Sequence, residues 1–385
     1  MHKYTTWANT GISGHKNSNL QLLHVVRRYG PVGGMERYVW ELTLELKKLG
    51  HQVTVVCERC HAEKPAGIHV VELGEIAKRP GWLSALRFDH RVVNWLAAHP
   101  QPGRLIHSHE RISSHDFTTI HSPPFATIFE KPWWKRISLR VAMKLYLDRR
   151  ELSRARCIIP NSELIKQQLA HYYPEFAHKL AKPVTPGVTE NAVLIPHVIP
   201  ATGGTVGFVG KEWKRKGLLQ AIEVVKQLRV SRPDLKFIVS GPAIGDIQHL
   251  FADWQGGYDL RGWHEQTDYT EFDVLLHPAK AEPYGMVISE AMASKVPVVI
   301  SDSCGAAVHV NARSGQVLPL SSALEHWVAA IETQLTRTEP VPQFERSWRK
   351  VAKEYECRWR SDILSGKQGT GVDFSAEAGK IAINL

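Results

Sequence analysis

Glu282-Pro-Tyr-Gly-Met-Val-Ile-Ser-Glu290, running on through Ala291-Met-Ala-Ser-Lys-Val-Pro-Val-Val-Ile300 to Ser301-Asp-Ser-Cys-Gly305, sets two carboxylates eight residues apart around a strand-loop-helix junction. An apolar strand is read from Asp273 to Leu276, and Glu282 lies in the loop after it. Gly285 lets the backbone N–H groups at the start of the next helix come close to a ligand. Glu290 then falls about one and a half turns into that helix, near enough to the same mouth to accept hydroxyl hydrogens. Junctions of this kind are where α/β folds hold phosphorylated ligands. This one suits a nucleotide sugar: one carboxylate for the ribose diol, one for the sugar hydroxyls, and bare N–H groups for the diphosphate.

The rest of the chain supplies a matching framework. An apolar strand from Leu20 to Val26 leads into Tyr29-Gly-Pro-Val-Gly-Gly34, then a helical pattern from Met35 to Leu49 ending at Gly50, then a strand from Val53 to Cys57. This β-turn-α-β unit with a glycine-rich first turn is the opening of a doubly wound sheet. Strand-like runs follow at Ile68 to Leu73 and Leu105 to Ser108, with a helix from Leu83 to Ala98 between them. Pro183, Pro186, Gly187, Pro196, Pro200, Gly203 and Gly204 make a breaker-rich linker. A second alternation begins beyond it: strand Val206 to Val209, helix Leu218 to Val230, strand Phe237 to Ser240, then Asp273 to Leu276 and Val298 to Ser301. The expected class is α/β, with one Rossmann-like domain over 20–200 and a second over 201–342. Helical spacing of Trp348, Val351, Ala352, Tyr355 and Trp359 marks a last helix within 343–364. The ends, 1–19 and 365–385, carry little periodicity and read as flexible extensions.

Bulk properties narrow the function. With 385 residues, 43% hydrophobic and 22% charged, the chain has ordinary globular composition and room for two cores. No run approaches 18 apolar residues and the first nineteen are polar, so a cytoplasmic protein is expected. Five cysteines are too few and odd in number for a disulfide framework, and Cys57-Glu-Arg-Cys60 lacks a second pair to complete a metal site. The 20 histidines are scattered rather than spaced as metal ligands. Residues 1–200 carry 27 Lys+Arg against 16 Asp+Glu, net +11, leaving 21 against 22 for the remainder. The basic excess sits in the first half and predicts an anionic partner for it: nucleic acid, an anionic bilayer or a phosphorylated acceptor.

A departing diphosphate needs a metal or fixed positive charge to stabilise it. No Asp-x-Asp occurs in the chain, so no metal is expected, and no cofactor other than the donor substrate itself. Gly207-Phe-Val-Gly210-Lys-Glu-Trp-Lys-Arg215-Lys216-Gly217 places a basic cluster after the first strand of the second domain. There a diphosphate would meet Arg215 as a fork and Lys216 as a point charge.

The Glu282–Glu290 pattern, with Pro-Tyr-Gly-Met inside it and Pro297 to Gly305 after it, resembles the Glu-x7-Glu signature of retaining GT-B glycosyltransferases of family 4. The resemblance covers about residues 20–364 and implies two Rossmann-like domains facing a cleft, with the last helix crossing back to brace the N-terminal, acceptor-binding domain. It carries donor-binding roles onto Gly210, Arg215, Lys216, Glu282, Tyr284, Gly285, Met286, Val287 and Glu290, with a nucleotide sugar as donor. In the first domain Gly33 and Gly34 would admit phosphate or acceptor. Leu105-Ile-His-Ser-His109-Glu, followed by Asp116 and by His121-Ser-Pro-Pro, resembles the family's strand-end histidine motif. Its short intervening segment resembles the lipopolysaccharide core glucosyltransferases, whose matching turn carries an Asp. His109, Asp116 and His121 therefore compete, beside Glu282, for the catalytic centre. Same-face substitution, in which the departing phosphate takes the acceptor's proton, requires no covalent nucleophile among them.

From 131 to 156 the chain has nine Lys/Arg against two acidic residues, with Trp133 and Trp134 beside Lys135, Arg136 and Arg140. Basic residues with interfacial Trp predict an amphipathic helix on an anionic membrane, peripheral at the inner face of the cell membrane. The expected acceptor is then a lipopolysaccharide core or similar lipid-linked glycan. Two alternatives stand beside it: a soluble enzyme with a small acceptor, and a non-catalytic binding module for nucleotide sugar or nucleic acid. No RNA-binding signature is present to favour nucleic acid.

Overall fold

Short strands buried on both faces belong in parallel sheets covered by helices on each side. In the computed structural model, which describes residues 19–189, 192–264 and 266–364, twelve strands of four to six residues form two parallel sheets, their central strands buried and their edge strands partly exposed. The first contains β1 (Gln21–Val25), β2 (Gln52–Cys57), β3 (Ile68–Glu72), β4 (Leu105–Ser108), β5 (Phe117–Ile120) and β6 (Cys157–Pro160), in spatial order β3-β2-β1-β4-β5-β6. The second repeats this order with β7 (Thr205–Val209), β8 (Lys236–Ser240), β9 (Tyr258–Gly262), β10 (Val274–His277), β11 (Val298–Ser301) and β12 (Gly315–Leu318), arranged β9-β8-β7-β10-β11-β12. Each sheet is wound in both directions from its first strand. Each therefore has a switch point, between β1 and β4 in one and between β7 and β10 in the other, where neighbouring connections part and leave a crevice.

Helices α1 (Gly34–Lys48), α2 (Gly81–Ala98), α3 (Leu139–Arg154) and α4 (Glu163–Tyr172) flank the first sheet. Helices α5 (Leu218–Ser231), α6 (Met286–Ala293) and α7 (Leu324–Leu335) flank the second, and α8 (Trp348–Leu364) ends the described chain. Observed limits agree with the expected ones to within a few residues, except that residues 343–347 precede α8 as extended chain.

The last helix packs on the first domain. Trp348, Val351, Ala352, Tyr355 and Trp359 recur at three- and four-residue steps, which gathers them on one face. That face enters the same apolar cluster as Leu22, Val39, Leu42 and Phe117. Polar contacts fix the register: Tyr38 and Tyr355 share a hydroxyl hydrogen bond of 2.8 Å, and Tyr355 also meets Thr119 Oγ1 at 2.8 Å.

One expected element is corrected. The segment from 131 is not a continuous helix: Trp133–Lys135 is a single 3₁₀ turn and α3 starts only at Leu139. Pro132 ends one stretch, and Ser138 caps the next by accepting from the Val141 N–H at 3.2 Å. Trp133, Trp134, Ile137 and Leu139 remain 66%, 62%, 72% and 67% exposed. Lys131, Lys135 and Arg140 lie exposed among them, whereas Arg136 is half-buried and donates to the Lys131 carbonyl at 2.6 Å.

Trp359 is fully buried in a core whose buried members outside α8 all lie between Leu22 and Val184. Trp359→Ala should lower the stability of the N-terminal domain by about 3–5 kcal/mol, the range for truncating a buried aromatic. Denaturant unfolding followed by Trp and near-UV signals checks this; a loss below about 1 kcal/mol would contradict the bracing role.

Candidate active site between the two domains

The two switch points face each other across a cleft of about 510 Å³. Residues of both domains line it: Arg28, Gly33, Gly34, Arg37 and His121 on one wall, and Gly210, Arg215, Lys216, Glu282 and Glu290 on the other.

On the second wall the ends of adjacent strands β7 and β10 bring the charges together. The turn Trp213–Lys216 follows β7, and Glu282 follows β10. Lys216 Nζ stands 2.9 Å from Glu282 Oε2, with Arg215 Nη1 and His277 Nε2 each at 3.5 Å. Burial alone would push the Glu282 carboxyl up, but Lys216, then His277 and Arg215, hold it well below the usual carboxylate range. Arg215 also donates to the Ala281 carbonyl and pairs with Glu212 at 2.5 Å, so its guanidinium is aimed rather than free. Gly210 permits this closeness: its φ is +152° and a Cβ would collide with the Lys216 side chain.

Gly285, at φ +96°, ends the β10 loop in the left-handed conformation and serves as N-cap of α6. The first N–H groups of α6 have no intrahelical acceptor, and Gly285, Met286 and Val287 line the cleft, so those donors are turned to it. Glu290, one turn on, is 6% exposed; Oε2 accepts from the Tyr269 hydroxyl at 2.6 Å and Oε1 meets Arg37 Nη1 at 3.0 Å. Tyr284 is placed differently from its neighbours: its ring is buried and its hydroxyl bonds Ser289 at 2.7 Å, so it supports the helix while forming part of the cleft floor.

The first wall is gentler. Gly33 has an ordinary extended φ of −166° and caps α1, and a Cβ there would meet Glu36; at Gly34 a Cβ would project into open space. Lys211 reaches across from the second domain, 4.0 Å over the Trp263 ring and 3.5 Å from the Val32 carbonyl.

The three rival residues of the first domain separate. Asp116 precedes β5, so it lies at the end of the sheet away from the cleft; its Oδ2 accepts the Ile106 N–H at 2.9 Å and it is outside the cleft lining. Its placement corrects the expectation that it competes for the catalytic centre: residues ahead of a parallel strand sit opposite the ligand-binding edge. His109 is buried beside a second cavity of about 240 Å³, and His121, after β5, lines both that cavity and the cleft. Neighbouring β1 and β4 carry His24 and His107 in register, and period-two alternation puts His109, just past β4, on the same sheet face, where the rings stack at 4.8–5.5 Å. His24 Nδ1 contacts His109 Nε2 at 3.2 Å, and His109 Nδ1 contacts His121 Nε2 at 2.9 Å.

Arg37, Lys211, Trp263, Tyr269 and His277 were not singled out from the sequence. Two had a local signal: Lys211, in the basic loop directly after Gly210, and His277, the polar end of an apolar strand just before Pro278. Arg37, Trp263 and Tyr269 reach the cleft from other elements.

Two doubly wound domains with opposed switch points define the GT-B architecture. Residues 32–189 match the family model described as Glycosyltransferase Family 4, and residues 203–337 the one described as Glycosyl transferases group 1. Between them these take in both domains, and the chain belongs to the GT-B glycosyltransferases of this family 4 and group 1 type. It is 21% identical to the D-inositol 3-phosphate glycosyltransferase of Jonesia denitrificans, over 91% of this chain and 94% of that protein. WaaG, a glycosyltransferase involved in lipopolysaccharide biosynthesis, superposes with a TM-score of 0.73 at 18% identity, over 90% of this chain and all of that one. HepE of Anabaena, solved in complex with UDP-glucose, gives 0.63 at 16% identity over the same shares.

The histidine stack sets a pH dependence. Burial pushes His24 and His121 down to about 3, and His107 and His109 well below the ordinary imidazole value. The unfolded chain therefore takes up protons below about pH 6.5 that the fold refuses, so stability from this source is full above 6.5 and lost as pH falls, by up to about 1.4 kcal/mol per pH unit for each histidine. Two buried carboxyls act oppositely: burial raises Glu110 to about 7 and Glu151 to about 8, so their contribution is lost as pH rises. Four histidines outweigh two carboxyls, and the urea midpoint should fall between pH 6.5 and 5. His24→Gln should flatten that fall and Glu151→Gln should steepen it; a midpoint that rises on acidification contradicts the assignment.

Proposed function

We propose that this protein is a retaining, metal-independent glycosyltransferase that moves a sugar from a UDP-sugar to a lipopolysaccharide core or other lipid-linked glycan acceptor. One observation carries the reading: the Lys216–Arg215–Glu282 cluster lies at the switch point beside the N-terminus of α6, the helix that carries Glu290. Lys216, Arg215 and the α6 amides take the diphosphate, Glu282 takes the hydroxyls of the transferred sugar, and Glu290 takes the ribose. As the bond from anomeric carbon to phosphate oxygen breaks, the acceptor oxygen bonds the same face. Its proton passes to the departing phosphate, whose charge the two cations stabilise. His121, at the passage between the cleft and the smaller cavity, stands on the acceptor side. The HepE complex with UDP-glucose supports a uridine diphosphate sugar as donor, and the likeness to WaaG supports a lipid-linked acceptor.

A second reading is favoured by the full-length relative from Jonesia: a small polyol phosphate acceptor and no membrane partner. Incubation with a panel of UDP-, GDP- and ADP-sugars, with turnover and product anomer recorded, tests the donor and the retention together. Among the described residues no helix is long and apolar enough to cross a membrane. In the proposed reading the enzyme is cytoplasmic and peripheral, and the exposed Trp133–Trp134 turn with Lys131, Lys135 and Arg140 meets the inner face of the membrane.

Lys216→Ala and Glu290→Ala should each lower transfer by about a hundredfold with the fold intact, and excess EDTA should leave the parent's transfer unchanged. Transfer within about threefold of the parent in both variants, or loss in EDTA restored by Mn²⁺, would remove the site assignment or the metal independence respectively.

Binding to anionic vesicles should exceed binding to neutral ones and weaken with salt, each basic residue near the surface contributing about 1 kcal/mol. Lys135→Glu with Arg140→Glu should release the protein while nucleotide binding is retained. Equal sedimentation with both vesicle types would favour the small-acceptor reading.

A further inference from the structure

Among the described residues, Glu290 is the cleft carboxylate whose ion pair crosses between the domains. Arg37 stands in the first turn of α1, just past the Gly33–Gly34 turn, and sends Nη1 to Glu290 Oε1 at 3.0 Å. Its Nη2 lies 3.5 Å from Thr189 Oγ1, where the chain leaves the first domain. One guanidinium thus touches the first domain, the connection and the second domain. The Arg37 and Glu290 side chains are 20% and 8% exposed, so solvent screens the pair far less than a surface bridge.

The geometry at Glu290 has a further property. A carboxylate offers about four acceptor positions. Arg37 occupies one on Oε1 and the Tyr269 hydroxyl one on Oε2, at 2.6 Å. One position on each oxygen is left, which matches the two hydroxyls of a vicinal diol. Tyr269 is itself buried and packed against Phe272, so that side of the carboxylate is fixed within the second domain. The other side is fixed from across the cleft.

We propose that Arg37 is a positioning residue of the donor site, supplied by the opposite domain. With Tyr269 it holds Glu290 turned so that the remaining lone pairs receive the 2′- and 3′-hydroxyls of the donor's ribose. Ribose recognition is then complete only with the domains closed, because an open cleft leaves Glu290 to Tyr269 alone. This rests on Glu290 contacting the nucleotide, as proposed above.

The test is calorimetric titration of the parent, Arg37→Ala, Arg37→Lys and Glu290→Gln with whichever of UDP, GDP and ADP binds the parent tightest, and with its 2′-deoxy counterpart. The parent should prefer the ribonucleotide. Loss of one charge-assisted contact should cost Arg37→Ala about tenfold on the ribonucleotide and less than about threefold on the deoxy form, so the preference collapses, as it does in Glu290→Gln. Arg37→Lys, which keeps a charge within reach, should restore part of it. If Arg37→Ala does not fold, Arg37→Gln is titrated in its place with the same expectation. A variant that keeps the parent's preference, or that loses equally on both nucleotides, overturns the role of Arg37 and leaves the nucleotide site standing. A parent that binds none of the nucleotides overturns the reading of the cleft and this inference with it.

Discussion

A parallel sheet wound outward in both directions from its first strand cannot close over its own middle. Where β7 and β10 run side by side, their connections leave on opposite faces, and the carboxyl ends of both strands stand uncovered. The charged cluster in the second domain's wall follows from that gap: the Trp213–Lys216 turn comes from one strand, Glu282 from the other, and the α6 amides lie beside them. The same constraint acts at β1 and β4, and a working cleft requires the two gaps to be held mouth to mouth.

The charges gathered there are costly to the fold. A buried carboxylate with two cations nearby is not a dependable source of stability, because removing ions from water offsets much of their attraction. The arrangement at Glu282 is better understood as preorganisation. Lys216 and Arg215 are already directed, one against the carboxylate and the other against it and the Ala281 carbonyl, so an arriving diphosphate meets fixed charge rather than mobile side chains. The apolar interiors on either side supply the stability that this site does not.

What could be read in advance was whatever a single strand-loop-helix unit contains. Glu282, Gly285 and Glu290 belong to one such unit, and Gly210, Arg215 and Lys216 to another, so the local motif, with the family resemblance it carries, set them at ligand-facing turns. Arg37 and Tyr269 escaped because they meet Glu290 from α1 and from a turn after β9, and no local pattern links elements that far apart. Asp116 was misplaced because β5 was not read from the sequence: with that strand beginning at Phe117, Asp116 falls ahead of it and not in a loop at the ligand-binding edge. The Trp133 segment was misread because helical spacing was carried through Pro132 and Ser138, which stop and restart the chain's hydrogen bonding.

The return of α8 to the first domain also has a consequence in time. A ribosome delivers all six strands of the first sheet, and then the whole second domain, before it delivers Tyr355 and Trp359. Until then the groove over β1, β4 and β5 lacks its lid, and Leu22, Tyr38, His107 and Phe117 are open to water or to a neighbouring nascent chain. The first domain to be made is thus the last to be finished. Its final packing step becomes available only once the second domain has been made, which ties completion of one half of the cleft to synthesis of the other.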